Sequence, residues 1–144
     1  MALVIRTFAR RDEDAVVALW RAAGLTRPWN DPHADIARKL AVQPELFLVG
    51  ELDGEIVASA MAGYDGHRGS VYYLAVSPGH QRCGHARAVM AEVERRLEAI
   101  GCPKLNLMVR HDNGAAIGFY ERLGYETAAV VTLGGRLIVD EPAT

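Results

Sequence analysis

Apolar and polar positions alternate from Leu3 to Thr7, which is the two-residue period of a half-buried strand. The period then becomes helical, and the predicted helix begins at Asp12 or Asp14 and ends at Gly24. A second helix should begin within residues 30–32, Asn-Asp-Pro, because aspartate is a preferred cap and proline fits the first helical turn. The first part of the chain is therefore predicted to be one strand followed by two helices.

The middle of the chain has the pattern of a β-meander. Two runs rich in strand-forming residues, 46–52 and 56–64, flank Asp53-Gly54, which is a strong hairpin signal. A glycine-rich turn at 65–69 leads into a third run at 70–76. We therefore expect three consecutive antiparallel strands.

The helical period returns after Ser77-Pro78-Gly79, so the chain combines strands and helices in a mixed order. The remaining predicted elements are a long amphipathic helix from Ala86 to Ile100, a buried strand from Lys104 to Val109, a short helix from Ala115 to Leu123, and strands from Tyr125 to Leu133 and from Arg136 to Val139 joined at Gly134-Gly135. This order predicts an α+β fold, with a mixed, mostly antiparallel sheet and helices on both faces.

Composition narrows the functional classes. The chain has 144 residues, half of them hydrophobic, which suits one compact domain spanning 1–144. A net charge of −2 disfavours nucleic-acid binding, and no apolar run reaches the ~20 residues of a membrane helix. The first eleven residues lack the apolar stretch of a signal peptide, so we expect a cytoplasmic protein. Cys83 and Cys102 lack metal-ligand spacing, so we expect reduced thiols and no metal.

Residues 81–86, Gln-Arg-Cys-Gly-His-Ala, are the first candidate for chemistry, because they join a predicted strand to a long helix. The first N–H groups of a helix lack intrahelical partners and carry partial positive charge, so they can bind a phosphate. Gly84 would let the ligand approach the backbone closely. Taken alone, the segment is better explained as an ordinary strand-to-helix loop with glycine at the bend.

A second segment, from Asn113 to Tyr125, changes this interpretation. The two segments together resemble the GNAT superfamily of acyl-CoA-dependent N-acetyltransferases, in which a Gln/Arg-x-x-Gly-x-Gly/Ala turn precedes an Asn-x-x-Ala-x-x-x-Tyr-x-x-x-Gly-aromatic segment. The matching residues are Gln81, Gly84 and Ala86 in the first pattern, and Asn113, Ala116, Tyr120, Gly124 and Tyr125 in the second. Residues 25–32 and 63–69 further resemble the bacterial YpeA group of that superfamily.

The resemblance implies a three-layer α/β/α sandwich, with a central sheet splayed between its fourth and fifth strands. It also implies that acetyl-CoA is the acyl-donor cosubstrate. The implied CoA-binding residues are Leu74, Ala75 and Val76 on the strand, Gln81, Arg82, Cys83, Gly84, His85, Ala86 and Arg87 at the turn, and Asn113 and Ala116 before and within the short helix. Cys83 and His85 depart from the residues usual in the family, but their backbone N–H groups could still bind phosphate.

The resemblance makes Tyr120 the predicted catalytic residue, whereas the residues alone favour a core aromatic on the helix face. In direct transfer, an amine attacks the thioester and the tetrahedral intermediate expels a thiolate, which a phenol can hydrogen-bond or protonate. Ordinary pKa values of ~10 for tyrosine and ~8.5 for a thiol make full proton transfer uphill by roughly 2 kcal/mol. Hydrogen bonding to the leaving sulfur is therefore favoured, unless the pKa of Tyr120 is depressed.

The acceptor is a primary amine of a small molecule, a peptide N-terminus or a lysine, and the sequence leaves these three open. Candidate acceptor-site residues are Trp29, Asn30, Asp65, His67 and Tyr72. Asp65, His67, Tyr72 or a water chain could supply the general base, and Asp65 and His67 equally suit a plain turn. Homodimerisation through an edge strand also stays open. The competing hypothesis is a catalytically weak or inactive acyl-CoA-binding regulatory protein.

Overall fold

The computed structural model describes residues 2–141, which form a five-stranded sheet in the order β1-β2-β3-β4-β5 with four α-helices. The strands are β1 (Val4–Thr7), β2 (Phe47–Leu52), β3 (Glu55–Tyr64), β4 (Gly69–Val76) and β5 (Leu105–Asn106). The helices are α1 (Glu13–Ala22), α2 (Pro32–Leu40), α3 (His85–Ala99) and α4 (Gly114–Arg122), with short 3-10 turns at Arg10–Asp12, Pro44–Leu46 and Pro78–His80.

The predicted local signals explain most of these boundaries. Asp53 and Gly54 both have positive φ, 53° and 81°, so the hairpin between β2 and β3 has the backbone that this dipeptide favours. The Asp31 carboxylate accepts a hydrogen bond from the His33 N–H at 2.9 Å and caps α2, with Pro32 in its first turn. The predicted hairpin and the start of the second helix are confirmed.

Two apolar clusters lie on opposite faces of the sheet, which gives the three-layer arrangement. Trp20 of α1 and Ile36 of α2 are fully buried against one face, with Phe47 and Val49. Helix α3 packs on the other face, where α4 covers the same cluster through its partly buried aromatic and aliphatic residues. The α/β/α sandwich predicted from the sequence resemblance is confirmed.

Strand β4 changes partner along its length. It pairs antiparallel with β3 throughout, and parallel with β5 through Gly69–Leu105 and Ser70–Asn106. Beyond Ser70, its β5-facing edge has no strand partner within residues 2–141. The register between β3 and β4 also shifts near Tyr73, whose φ of 54° marks a bulge. The predicted mixed sheet, splayed between its fourth and fifth strands, is therefore observed.

The predictions for the C-terminal third were partly wrong. The predicted strand 104–109 reduces to Leu105–Asn106 and is not buried, because its residues alternate between half-buried and exposed where β4 diverges. The predicted strands 125–133 and 136–139 do not form, and their apolar side chains are largely exposed. β-Branched residues favour an extended chain, but a strand also needs a neighbour that pairs with its backbone, and two-residue β5 offers little edge.

Within the part of the chain that the structure describes, no helix is both long and apolar enough to cross a membrane. The same residues contain no group of three His, Cys, Asp or Glu side chains placed to share a metal ion.

Candidate functional site

The turn between β4 and α3 (the donor turn, residues 77–87) exposes its backbone to solvent. A single 3-10 turn follows Ser77, whose N–H is anchored to the Val57 carbonyl at 2.8 Å. Arg82 and Gly84 then both have positive φ, 63° and 80°. Left-handed residues close together in a turn direct successive N–H groups toward one side, which is a common way to form an anion-binding concavity.

Helix α3 begins at His85 with Gly84 as its N-cap, and Gly84 makes no side-chain cap. The Ala88 N–H donates to the Gly84 carbonyl at 3.0 Å, and this is the first hydrogen bond of the helix. The N–H groups of His85, Ala86 and Arg87 precede it and have no intrahelical acceptor. A helix of 15 residues thus presents its positive dipole end and free donors beside the exposed guanidinium-bearing side chains of Arg82 and Arg87.

The unpaired edge of β4 leads directly into this turn. Leu74 and Val76 pack their side chains toward the α3 face, whereas Ala75 is buried on the α1–α2 face. Their side chains are therefore committed to the core, while the β5-facing backbone lacks a strand partner in residues 2–141. Such an edge can pair with an extended, amide-bearing ligand as it would with a strand.

Asn113 acts as a helix cap. Its side-chain oxygen accepts a hydrogen bond from the Ala116 N–H at 3.1 Å, and Asn113 itself is exposed. The cap occupies Oδ1 and leaves the side-chain amide N–H groups free for a ligand. Asn113 therefore has a structural role as a cap, and the predicted ligand role is compatible with it.

Tyr120 lies half-buried on α4, with edge-on contacts to Phe119 and Tyr125 at centroid distances of 5.1 and 5.9 Å. Its hydroxyl makes no hydrogen bond with any residue from 2 to 141. Burial raises the pKa of Tyr120 above the ordinary value. At neutral pH the phenol therefore stays protonated and can donate a hydrogen bond.

The other face of the β4 bulge is held by a buried polar chain. The Trp20 indole N–H donates to the Ser59 hydroxyl at 2.9 Å, and that hydroxyl donates to the Tyr73 carbonyl at 2.8 Å. The rings of Trp20 and Tyr73 also stack with centroids 3.8 Å apart. Since Trp20 and Ser59 are fully buried, this chain fixes the backbone at the residue with positive φ.

The Tyr73 side chain continues the network to helix α2. Its hydroxyl donates to the Asp35 carboxylate at 2.6 Å, and burial together with this carboxylate raises the pKa of Tyr73. Asp35 also contacts Arg38 at 3.2 Å, and Arg38 pairs with Asp140 at 2.5 Å. Asp140 in turn accepts a hydrogen bond from the Asp31 N–H at 3.0 Å, so it fastens the C-terminal segment onto the start of α2.

A pocket of about 470 Å³ opens on the α2 side, where β4 and β5 separate (the acceptor-side pocket). Asp65 and Tyr72, two of the predicted acceptor-site residues, line it. His67, Trp29 and Asn30 are not among its lining residues; Asn30 instead accepts a hydrogen bond from Arg136 at 2.6 Å. The structure thus brings together two of the five candidates.

Asp65 is chiefly a turn residue. Its Oδ1 accepts hydrogen bonds from the N–H groups of His67 and Arg68, both at 2.8 Å. These backbone donors hold the pKa of Asp65 below its ordinary value. A carboxylate is a poor general base when its pKa is lowered and one of its oxygens already accepts two hydrogen bonds. The plain-turn interpretation therefore fits Asp65 better.

Sequence reasoning missed several residues on this side, among them Lys39, which lines the same pocket and is nine-tenths buried. One signal was available, since Lys39 falls at helical spacing from Ile36 on the buried face of α2. The polar chain through Ser59 and Asp35 had no comparable signal, because its members are between 14 and 39 positions apart from their partners.

Comparisons with known proteins find relatives over nearly the whole chain. The model of the acetyltransferase (GNAT) family matches residues 13–125. A Yersinia pestis protein named acetyltransferase is 56% identical over 137 residues, covering 95% of this chain and 97% of that protein. A Pectobacterium atrosepticum protein named acetyltransferase ECA0875 is 57% identical over 136 residues, covering 94% and 96%.

Solved structures show the same fold. The ribosomal-protein-S18-alanine N-acetyltransferase from Escherichia coli superposes with a TM-score of 0.75 at 28% identity, over 89% of this chain and 80% of that one. AAC(6')-Iy, solved with a bisubstrate analogue of CoA, gives a TM-score of 0.79 over 94% and 99% of the chains, and at 18% identity shows the fold alone. The chain belongs to the GNAT family of acetyltransferases and is an acyltransferase of the N-acetyltransferase type.

Proposed function

We propose that the protein transfers an acetyl group from acetyl-CoA directly to a primary amine, at the opening between β4 and β5. One observation carries this proposal. A single strand edge, which has no strand partner among the described residues 2–141, runs from the acceptor-side pocket to the free N–H groups at the start of α3. Donor and acceptor can therefore approach along one edge from its two ends.

The donor turn would hold the diphosphate of acetyl-CoA. The N–H groups from Cys83 to Arg87 supply hydrogen bonds, and the Arg82 and Arg87 side chains add positive charge. Leu74, Ala75 and Val76 would pair with the pantetheine amides through their backbone, and Asn113 and Ala116 would line the arm from α4. Gln81 closes the other side, where its side-chain amide donates to the Val76 carbonyl at 3.4 Å.

In the reaction itself, the amine nitrogen would form a bond to the thioester carbonyl carbon and give a tetrahedral intermediate. Collapse of that intermediate breaks the carbon–sulfur bond and releases the CoA thiolate, while the amine nitrogen loses its proton to solvent. Tyr120 would donate a hydrogen bond to the departing sulfur. Because burial raises the pKa of Tyr120, hydrogen bonding is favoured over full proton transfer.

Calorimetry with acetyl-CoA tests the donor turn through Gly84→Glu, with Gly54→Glu as its control. The two glycines have nearly the same φ, 80° and 81°, and open space where a Cβ would lie, so the variants share their backbone strain and added charge. Gly84→Glu should weaken acetyl-CoA binding by at least about a hundredfold, since a carboxylate there repels phosphate and fills the turn. Equal affinity in the two folded variants would contradict the assignment.

Steady-state kinetics of Tyr120→Phe test the chemistry. The hydroxyl has no hydrogen-bond partner within residues 2–141, so its removal should leave folding and acetyl-CoA affinity nearly unchanged. We expect kcat to fall at least about tenfold, because a hydrogen bond to a developing charge is lost in the transition state. An unchanged kcat would remove Tyr120 from the mechanism.

Release of CoA across an acceptor panel separates the proposal from a CoA-binding regulator. The panel should contain amino acids, polyamines, aminoglycosides, lysine peptides and peptides with a free N-terminus. The last group includes an N-terminal alanine peptide, since the Escherichia coli structural neighbour is named for alanine of ribosomal protein S18. Tight acetyl-CoA binding with no turnover on any acceptor would favour the regulator.

A further inference from the structure

The side chain of Lys39 is nine-tenths buried. It forms no hydrogen bond or ion pair with any residue from 2 to 141, and it lines the acceptor-side pocket near the end of α2. Its Nζ lies over the end of β3, where a Cβ built on Gly63 would be 3.6 Å from it. Its Nζ is not among the fully enclosed polar atoms of the described residues, so it reaches the pocket and is free to donate a hydrogen bond to an anion there.

The position of the pocket relates Lys39 to the reaction. Ser70 and Asn106, the last paired residues of β4 and β5, both line it, so it lies where the two strands begin to separate. A ligand in the pocket would therefore face the opening in which the thioester is proposed to lie. The exposed apolar side chains of Val42, Tyr72 and Met108 form the other walls.

Two of the three charged side chains that line the pocket are cationic, which favours binding of an anion. Arg68, half-buried on the rim, uses its Nη1 to bond the His67 carbonyl at 2.9 Å, and its other N–H donors have no hydrogen-bond partner within residues 2–141. Asp65 also lines the pocket, and although its Oδ1 is committed to the backbone of its own turn, its negative charge remains beside the two cationic side chains. Burial lowers the pKa of Lys39 and the nearby Glu45 carboxylate opposes this, so an anion in the pocket would favour the charged form of Lys39.

We propose that Lys39, with Arg68 at the rim, binds a carboxylate of the acceptor, and that the acceptors are small amines that also carry a carboxylate beside an apolar body. This rests on the proposed function. The cationic end of the pocket would fix the carboxylate, and the apolar walls would hold an aliphatic or aromatic side chain. The amine would then point toward the β4–β5 opening. Polycationic acceptors are disfavoured, because they would face Lys39 with like charge.

Matched acceptors test the proposal: leucine, leucinamide and 3-methylbutylamine share one aliphatic body and differ in the carboxylate. We expect kcat/KM for leucine to exceed the other two by at least about tenfold, although the amine of leucinamide is the easier to deprotonate. Lys39→Met should abolish that preference by lowering kcat/KM for leucine, without changing the KM for acetyl-CoA. Arg68→Gln should reduce the preference in the same direction.

Lys104→Met, the same change at the exposed second lysine, is the control and should keep the preference. Calorimetric binding of leucine and leucinamide to the protein with CoA separates the two proposals. Leucine binding that depends on Lys39 without turnover would keep this inference and overturn the transfer reaction. Turnover without a carboxylate preference, or acetylation of Lys39 itself, would overturn the inference and keep the reaction. Neither binding nor turnover would overturn both.

Discussion

The donor turn and the acceptor side face the same strand edge, but different parts of the polypeptide form them. The donor turn consists of consecutive residues whose backbone N–H groups are free and whose side chains are mostly exposed. By the acceptor side we mean the acceptor-side pocket together with the polar network beside it. This region depends on buried and half-buried side chains from α1, α2, β3 and β4, which are linked through the Trp20–Ser59–Tyr73–Asp35 network. The donor turn is therefore defined by its backbone conformation, and the acceptor side by side chains that bond and pack with one another.

This difference has consequences for stability and function. Substitutions in the donor turn should change ligand affinity and leave the fold intact, because few contacts depend on its side chains. Substitutions in the acceptor-side network should lower the free energy of unfolding, because each buried member leaves a partner unsatisfied or a cavity. The comparison therefore predicts a separation between variants that affect binding and variants that affect stability.

The largest expected effect is from Trp20→Ala. Trp20 is fully buried, stacks on Phe47 and Tyr73, and donates to Ser59. Its removal should lower the free energy of unfolding by about 3–5 kcal/mol, as measured by urea denaturation. Trp29→Ala is the matched control, because this second tryptophan is 57% exposed and should cost much less. Similar losses for the two variants would contradict the comparison.

Ser59→Ala should have the next largest effect. The hydroxyl joins the Trp20 indole and the Tyr73 carbonyl, so its loss leaves a buried donor and a buried acceptor unpaired. We expect the free energy of unfolding to fall by about 1–3 kcal/mol, and kcat to fall because the β4 bulge shifts. Ser77→Ala, at a half-exposed serine that makes no side-chain cap, is the control for denaturation. A stable Ser59→Ala with normal kcat would show that the bulge does not need this network.

The same difference explains what could be predicted from the sequence. A backbone site requires particular conformations at fixed spacing, and Gly84 with its φ of 80° leaves a visible trace of that requirement. The Asp53-Gly54 hairpin and the Asp31 cap are local in the same sense, and both were predicted correctly. These predictions succeeded because each feature is determined by residues only a few positions apart in the chain.

The acceptor side could not be predicted in this way. Ser59 lies 39 positions from Trp20 and 14 from Tyr73, and no short pattern connects them. The bulge at Tyr73 arises from the register between β3 and β4, which depends on both strands together. The C-terminal strands were predicted from propensity alone, and propensity does not supply the neighbouring strand that residues 125–139 would need.

Asp140 offers a smaller, pH-dependent test at the edge of the acceptor side. The hydrogen bond from Arg38, with that from the Asp31 N–H, lowers the pKa of Asp140 to about 2. A lowered carboxyl pKa stabilises the fold above the ordinary value of ~3.9, and this contribution is lost as the pH falls toward about 2. The Tm of Asp140→Asn should therefore lie below wild type at pH 7 and converge with it in acid. Asp112→Asn, at an exposed pair 3.6 Å from Arg110, is the control and should leave the Tm at pH 7 close to that of wild type.

The smallest expected effect is from Cys83→Ser in the donor turn. Cys83 is exposed, and its thiol makes one long contact of 3.5 Å to the Gln81 carbonyl, so its proposed contribution to acetyl-CoA binding is its backbone N–H. Serine keeps that N–H, and we expect the acetyl-CoA Kd from calorimetry to stay within about twofold of wild type. Gly84→Glu, one residue later, should abolish binding in the same assay. A tenfold loss in Cys83→Ser would mean that the thiol itself contacts the cofactor, and the donor turn would then depend on side chains as the acceptor side does.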